Sequence, residues 1–350
     1  MNKPISDREN WLRAVEFRHP EWIPCRIALS PLTWHIYREK LERIVLAHPR
    51  IFPRHQPCSV NYDEMPVVYR QGERHRDNWG CVWYNIQEGL EGQVIEHPLA
   101  DWSALANYRP PDPLIYSERG TRDWAQTEQE LAAQKEQGLL TWGSGERLFD
   151  RLYLLRGFTE LMIDFAERRP EFAHLIDLLT QHELVLINRW LHIGVDVISF
   201  HTDIGTQRGL MISPRSFHEY IKPMFRTLFQ TCRRAGAHVY LSSDGRVLDI
   251  VDDLVECGVS VHDPQLRANT LDGIARAYTG KLCADVDLDR QGFPFMTPAD
   301  IRAQLRDVVR VMGAPEGGLM MLASVEPAGV GWHYGRKHNR GSREVGTTSR

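Results

Sequence analysis

Gly236-Ala-His-Val-Tyr-Leu-Ser-Ser-Asp-Gly245 is the stretch whose reading decides the fold. A short apolar run ends in two hydroxyls and a carboxylate, the pattern of a buried strand with a polar exit. An amphipathic helix carrying Phe217, Ile221, Met224, Phe225, Leu228 and Cys232 precedes it. Val247, Ile250, Val251 and Leu254 space a second helix, which stops at Gly258. Strand, polar exit and helix together make the βα unit of a parallel sheet, in which ligands gather at the carboxyl ends of strands.

The same unit repeats in both directions. Strand starts are predicted near residues 196, 259, 281 and 318, and Asp196 to Phe200 delivers His201 and Asp203 to a strand exit. Upstream, Ile23 to Leu29 reads as a strand, with Ser30-Pro31 opening the helix behind it. Leu139 to Trp142 reads as another, leaving Gly143-Ser-Gly145 at its exit, and Thr159 caps a helix that stops at Pro170. Pro223 is expected to kink its helix. Between Pro53 and Pro113 the pattern weakens. There Asp77 to Tyr84 alternates like a strand among Gly and Pro punctuation, as an elaboration covering one mouth of a barrel would. No Gly-x-Gly-x-x-Gly opens any helix, so a single (β/α)8 TIM barrel with an N-terminal elaboration is favoured over a doubly wound sheet. The barrel is expected over 1-328, followed by an irregular or disordered tail over 329-350.

Composition excludes several classes of function. A net charge of -4 with dispersed Lys and Arg provides no basic stripe for nucleic acid and no polybasic membrane patch. No apolar run approaches the roughly 20 residues needed to span a bilayer, and Met1 to Glu9 lacks a signal-peptide core, so a cytoplasmic protein is expected. Six widely spaced cysteines without a Cys-x-x-Cys pair indicate neither a zinc ribbon nor a disulfide framework.

In such a barrel the strand exits would form one carboxylate-rich cup: His201, Asp203, Ser242, Ser243, Asp244, Asp263, Gln265, Asp285, Asp287, Asp289 and Glu326. Crowded carboxylates raise one another's pKa or attract a metal, an amine or a basic side chain such as Arg290. Asp203, Asp244 and His201 are the catalytic candidates. Gln207, Ser242, Ser243, Gln265, Asp285 and Arg290 are the substrate-binding candidates. The competing role for these acids is helix capping, above all for Asp287 and Asp289. His201 is as suited to packing as to catalysis, His238 opens a strand and so faces away from the mouth, and Trp79, Trp83 and Trp102 are read as packing residues.

Several segments together resemble the uroporphyrinogen decarboxylase superfamily, in the branch similar to cobamide-dependent methyltransferases. They are Asp77-Asn-Trp-Gly-Cys-Val-Trp83; Gly92-Gln-Val with His97-Pro-Leu-Ala-Asp-Trp102; Asp203-Ile-Gly-Thr-Gln207 with Ile212-Ser-Pro214; Ser243-Asp-Gly245 with Glu256-Cys-Gly258 and Asp263-Pro-Gln265; Asp287-Leu-Asp-Arg-Gln291; and Gly317-Gly-Leu-Met320. The resemblance implies a (β/α)8 barrel that moves a methyl group between a corrinoid held by a partner protein and a small-molecule acceptor or donor. It leaves two alternatives: decarboxylation of a tetrapyrrole, and a non-catalytic barrel binding a corrinoid or porphyrin. The Arg-Gln-Ala-Gly-Arg motif of the decarboxylases is replaced here by Cys25-Arg-Ile-Ala-Leu-Ser30. The methyltransferases' zinc-holding His-x-Cys and later Cys correspond to Ser242, Asp244 and roughly Glu326.

Exchanging nitrogen and sulfur ligands for oxygens weakens a zinc site and leaves Asp244 with Glu326 better suited to a harder divalent metal, if any. The purified protein is therefore expected to carry no stoichiometric zinc by elemental analysis. The triple variant Ser242→His, Asp244→Cys, Glu326→Cys is expected to gain zinc, and a folded variant without it would show that the three positions do not converge.

Overall fold

The computed structural model describes residues 5–325. In chain order its strands are β1 (Cys25–Leu29), β2 (Arg74–Arg76), β3 (Val82–Tyr84), β4 (Gln93–Glu96), β5 (Trp142–Arg147), β6 (Val197–His201), β7 (His238–Ser242), β8 (Val261–His262), β9 (Cys283–Asp287) and β10 (Leu319–Val325). Seven form one parallel sheet in the order β1-β10-β9-β8-β7-β6-β5, while β2, β3 and β4 make a small antiparallel sheet. The large sheet curls with helices outside it, the α/β barrel architecture that the repeated units predict. Among the described residues it stays open between β1 and β5, so seven paired strands stand where eight were expected. Glu326 and the 329–350 tail lie outside the described residues.

Alternation along the strands explains the layers. Val197, Tyr240, Val261, Cys283 and Met320 pack together inside the barrel. Ile198, Phe200, Val239, Leu241, Ala284 and Val286 belong to the outer layer beneath the helices. Strands buried on both faces read as near-continuous apolar runs, which is why β7 was conspicuous in the sequence. The floor is closed by helix Asp7–Val15, whose Trp11, Ala14 and Val15 pack on the inner cluster. The Ser6 hydroxyl caps that helix by accepting the Glu9 N–H at 3.1 Å, and Arg8 ties it to Asp196 at 2.6 Å. His238 belongs to this end, bonded to Glu16 and Arg233, as its place at a strand start predicts.

Some local expectations shift. Strand β5 runs to Arg147, so Gly143 and Gly145 lie within it rather than at its exit. Their role is packing: a Cβ on Gly143 would stand 2.7 Å from the Trp190 ring, and one on Gly145 would stand 2.4 Å from Phe200 and from Glu183. Thr159 is not a cap, because Gly157 precedes the helix Phe158–Glu167. The disturbance expected at Pro223 falls one turn earlier, as a π-helical turn over Phe217–Ile221, since proline brings no N–H to the ladder.

At the carboxyl ends of β6 and β7 the two exit loops touch backbone to backbone. Arg246 N–H donates to Thr206 O at 2.7 Å, and Thr202 N–H donates to Ser242 O at 2.9 Å. Gly245 sits at φ +86°, and a Cβ there would lie 2.3 Å from the Gly205 carbonyl carbon. Gly245→Ala therefore combines left-handed strain with a backbone clash. It is expected to destabilise by roughly 2–5 kcal/mol in urea denaturation, whereas alanine at the open position Gly209 should change little.

Candidate active site

A cavity of about 1060 Å³ opens at the carboxyl ends of the strands. Every large-sheet strand except β1 places a residue on its wall from its end or exit: Arg147 and Asp150, Asp203 and Gln207, Asp244, Gln265, Arg290, and Ser324 with Val325. The N-terminal elaboration supplies Trp83, residues 90–94 and His97. The weakly patterned region thus does cover the mouth.

The exit of β7 organises this wall. Three consecutive backbone N–H groups, of Ser243, Asp244 and Gly245, are taken by Asp263 Oδ1 at 3.1 Å, Asp203 Oδ1 at 2.9 Å and Gln265 Oε1 at 2.9 Å. Ser242 Oγ–H adds a 2.7 Å bond to the other oxygen of Asp263, and the Ser243 hydroxyl accepts the Ile204 N–H at 3.2 Å. Gln207 Nε2 donates to Gln265 at 3.3 Å. Ser242, Ser243 and Asp263 therefore shape the exits, while Asp203, Asp244, Gln207 and Gln265 both shape them and line the cavity.

Asp285 lies deeper, only 2% exposed, joined to Arg26 at 2.9 Å and to the Tyr240 hydroxyl at 3.0 Å. It stands below the cavity wall. His201 ends β6 beside Arg147 and Ser242 in the strand register. Burial and the charges of Arg147 and Arg26 hold its pKa below the usual histidine range, so it is neutral near pH 7. Asp244 is bound by Arg290 at 2.8 Å, and Arg290 lies 3.6 Å from Asp287. Asp289 accepts the Gly292 N–H at 3.2 Å, a local turn contact. No group of three or more His, Cys, Asp or Glu is arranged to hold a metal ion among the described residues.

Two groups went unread in the sequence. Asp150, in the first turn of helix Phe149–Arg156, lines the cavity and accepts the Asp203 N–H at 2.8 Å, while its own N–H reaches the Thr202 hydroxyl. Burial and neighbouring Asp203 push its carboxyl up to about 7. Arg147 lies over the Trp83 ring and is held by Glu91 at 2.7 Å and Glu118 at 2.9 Å. Trp83 accordingly has two roles, packing at 3% exposure and walling the cavity, while Trp79 and Trp102 serve packing. The sign for Asp150 was its place in the first helical turn after a strand, hidden because that strand was ended too early.

The family model of uroporphyrinogen decarboxylase (URO-D) matches residues 88–323. The chain belongs to that family. Among solved structures it is similar to a methyltransferase from Methanosarcina mazei, at 16% identity and a TM-score of 0.59 over 91% of both chains. A D-psicose 3-epimerase follows at 7% identity and a TM-score of 0.35, covering 58% of this chain and 70% of that one, too distant to bear on function. No curated protein sequence matches. For this URO-D family member the match confirms the barrel; it leaves the reaction to the site. No helix among the described residues is long and apolar enough to cross a membrane.

Burial is the main cause that lifts the Asp263 carboxyl to about 8 and that of Asp287 to about 7. The folded chain thus keeps protons that the unfolded chain, with aspartate near 3.8, releases. Stability from these groups is full below about pH 4 and is lost as pH rises through 7 to 8. In Asp263→Asn the amide oxygen still accepts from Ser243, and the Ser242 hydroxyl can turn to accept. Denaturant titrations from pH 5 to 8.5 are expected to show a shallower decline, by up to about 1.4 kcal/mol per pH unit. An unchanged slope would place Asp263 among the ionised acids.

Proposed function

We propose that this chain is an enzyme that transfers a methyl group between a corrinoid supplied by a partner protein and a small molecule held in the mouth cavity. The observation that carries the reading is the chemistry of the wall. Asp150, Asp203, Asp244 and Glu91 line it beside Gln93, Gln207, Gln265 and Gln291, and both lining arginines, Arg147 and Arg290, are engaged by carboxylates. Uroporphyrinogen is a polycarboxylate, and its carboxylates would meet this acidic wall with the arginines already occupied. A corrinoid carries uncharged amides around its ring; carboxylates accept from amide N–H groups, and glutamines both accept from amides and donate to them.

In this reading the macrocycle is presented face-on at the mouth, with the small substrate between it and the wall. Tyr37, Phe158 and Phe293 line the cavity with apolar surface, and Phe295, in the same short turn as Phe293, is 89% exposed. The corrinoid would supply the cobalt centre that gives or takes the methyl group. Asp203 and Asp244, fixed by the β7 exit, would orient the small partner, and Asp150, half ionised near pH 7, can hold or yield a proton. A methyltransferase among the fold neighbours is a precedent for methyl transfer on this scaffold.

Incubation with methylcobalamin and candidate acceptors, and with reduced cobalamin and candidate methyl donors, is expected to give exchange visible in the corrinoid absorption spectrum. Uroporphyrinogen should be returned unchanged. Carbon dioxide release from uroporphyrinogen, with no corrinoid change, would reverse the assignment.

A further inference from the structure

The charges around the cavity favour a cation over an anion. Its backbone offers little to an anion at the central strand, because the Ser243, Asp244 and Gly245 N–H groups are already taken by side chains. Its arginines offer little more: Arg147 lies between Glu91 and Glu118, and Arg290 binds Asp244. The charges left over are negative. Asp203 has no ion-pair partner within 4 Å among the described residues, and accepts from the Asp244 backbone only. Beside it, Asp150 has Arg147 no nearer than 3.9 Å. Aromatic surface adjoins this acid pair. Tyr153 neighbours Asp150 and meets Phe158 edge to face at 5.9 Å, and both rings line the cavity.

We propose that the small substrate is a methylated ammonium, held with its positive nitrogen against Asp203 and Asp150 and its methyl groups against Tyr153 and Phe158. Each part of the pocket meets one part of such a ligand. The carboxylates balance the ammonium charge, which on a fully substituted nitrogen cannot be shed by losing a proton, and the rings contact polarised methyl groups through their negative faces. A neutral ether or a free carboxylate would leave Asp203 unbalanced, and a carboxylate would also be repelled by it. This assignment rests on the methyl-transfer reading for its biological meaning, but its test is a binding measurement independent of turnover.

Calorimetric titration with choline, and with its uncharged carbon isostere in which carbon replaces the ammonium nitrogen, separates charge from shape. The native protein is expected to prefer choline by about tenfold or more, as a partly desolvated cation contact does. Asp203→Asn keeps the oxygen that accepts the Asp244 N–H. It should lose most of that preference while binding the isostere as before and melting at nearly the native temperature. Equal binding of the two ligands by the native protein, or no binding of choline, overturns the inference, and this comparison stands even if the variant does not fold. Choline preference without methyl exchange to cobalamin would keep the cation site and sink the methyl-transfer reading. Exchange without choline preference would do the reverse.

Discussion

The mouth of this barrel depends on how three successive backbone N–H groups at the end of β7 are satisfied. Buried amides must find acceptors, and the buried N–H groups of Ser243 and Gly245, with the exposed one of Asp244 between them, each find a side chain from a flanking strand exit: Asp203 from one side, Asp263 and Gln265 from the other. The bond from the Asp244 N–H to the Asp203 carboxylate fixes where that carboxylate points. Asp150 extends the chain of contacts by accepting from the Asp203 backbone. Several residues that look like a reactive cluster in sequence are therefore partly the scaffold that holds the others.

The electrostatics follow from that packing. Carboxyl groups drawn into the barrel lose water, and where no cation compensates fully they retain protons, as with Asp263, Asp287 and Asp150. Arginines at the rim are pinned by acids of the elaboration and of the β7 exit. Fully buried Arg151 is the extreme case. It lies over Trp79 and bridges Asp77 and Glu118, coupling the elaboration to the barrel wall. An ion cluster of this kind adds geometric definition more surely than stability.

The barrel was legible because its strands are buried on both faces and its helices carry strong apolar stripes, from Phe172 to Leu186 and from Ile301 to Met312. The cup was legible in outline, since Asp203, Asp244, Gln207, Gln265 and Arg290 all reach one cavity. Which acid bonds which N–H was not, because that pairing depends on the register of neighbouring strands, and residues some 20 or 40 positions apart carry no local signal of it. Asp285 looked equivalent to its neighbours but belongs to a lower layer with Arg26 and Tyr240. The glycines of β5 misled for a different reason: helix Pro170–Ile193 presses Trp190 on Gly143, and close approach of a partner resembles an exit in sequence.

The contact between Gly205 and Gly245 divides the cavity into two kinds of wall. On one side the exits of β6 and β7 are locked backbone to backbone and that of β8 is tied to them through the side chains of Asp263 and Gln265, so a side-chain change there moves several groups together. On the other, residues 90–94 and the short turn Phe293–Phe295 border the same space from segments outside that lattice. Divergence of substrate preference within such a scaffold has an easy path and a hard one. Exchanges on the second wall alter size and polarity one residue at a time, whereas the first is inherited as a unit.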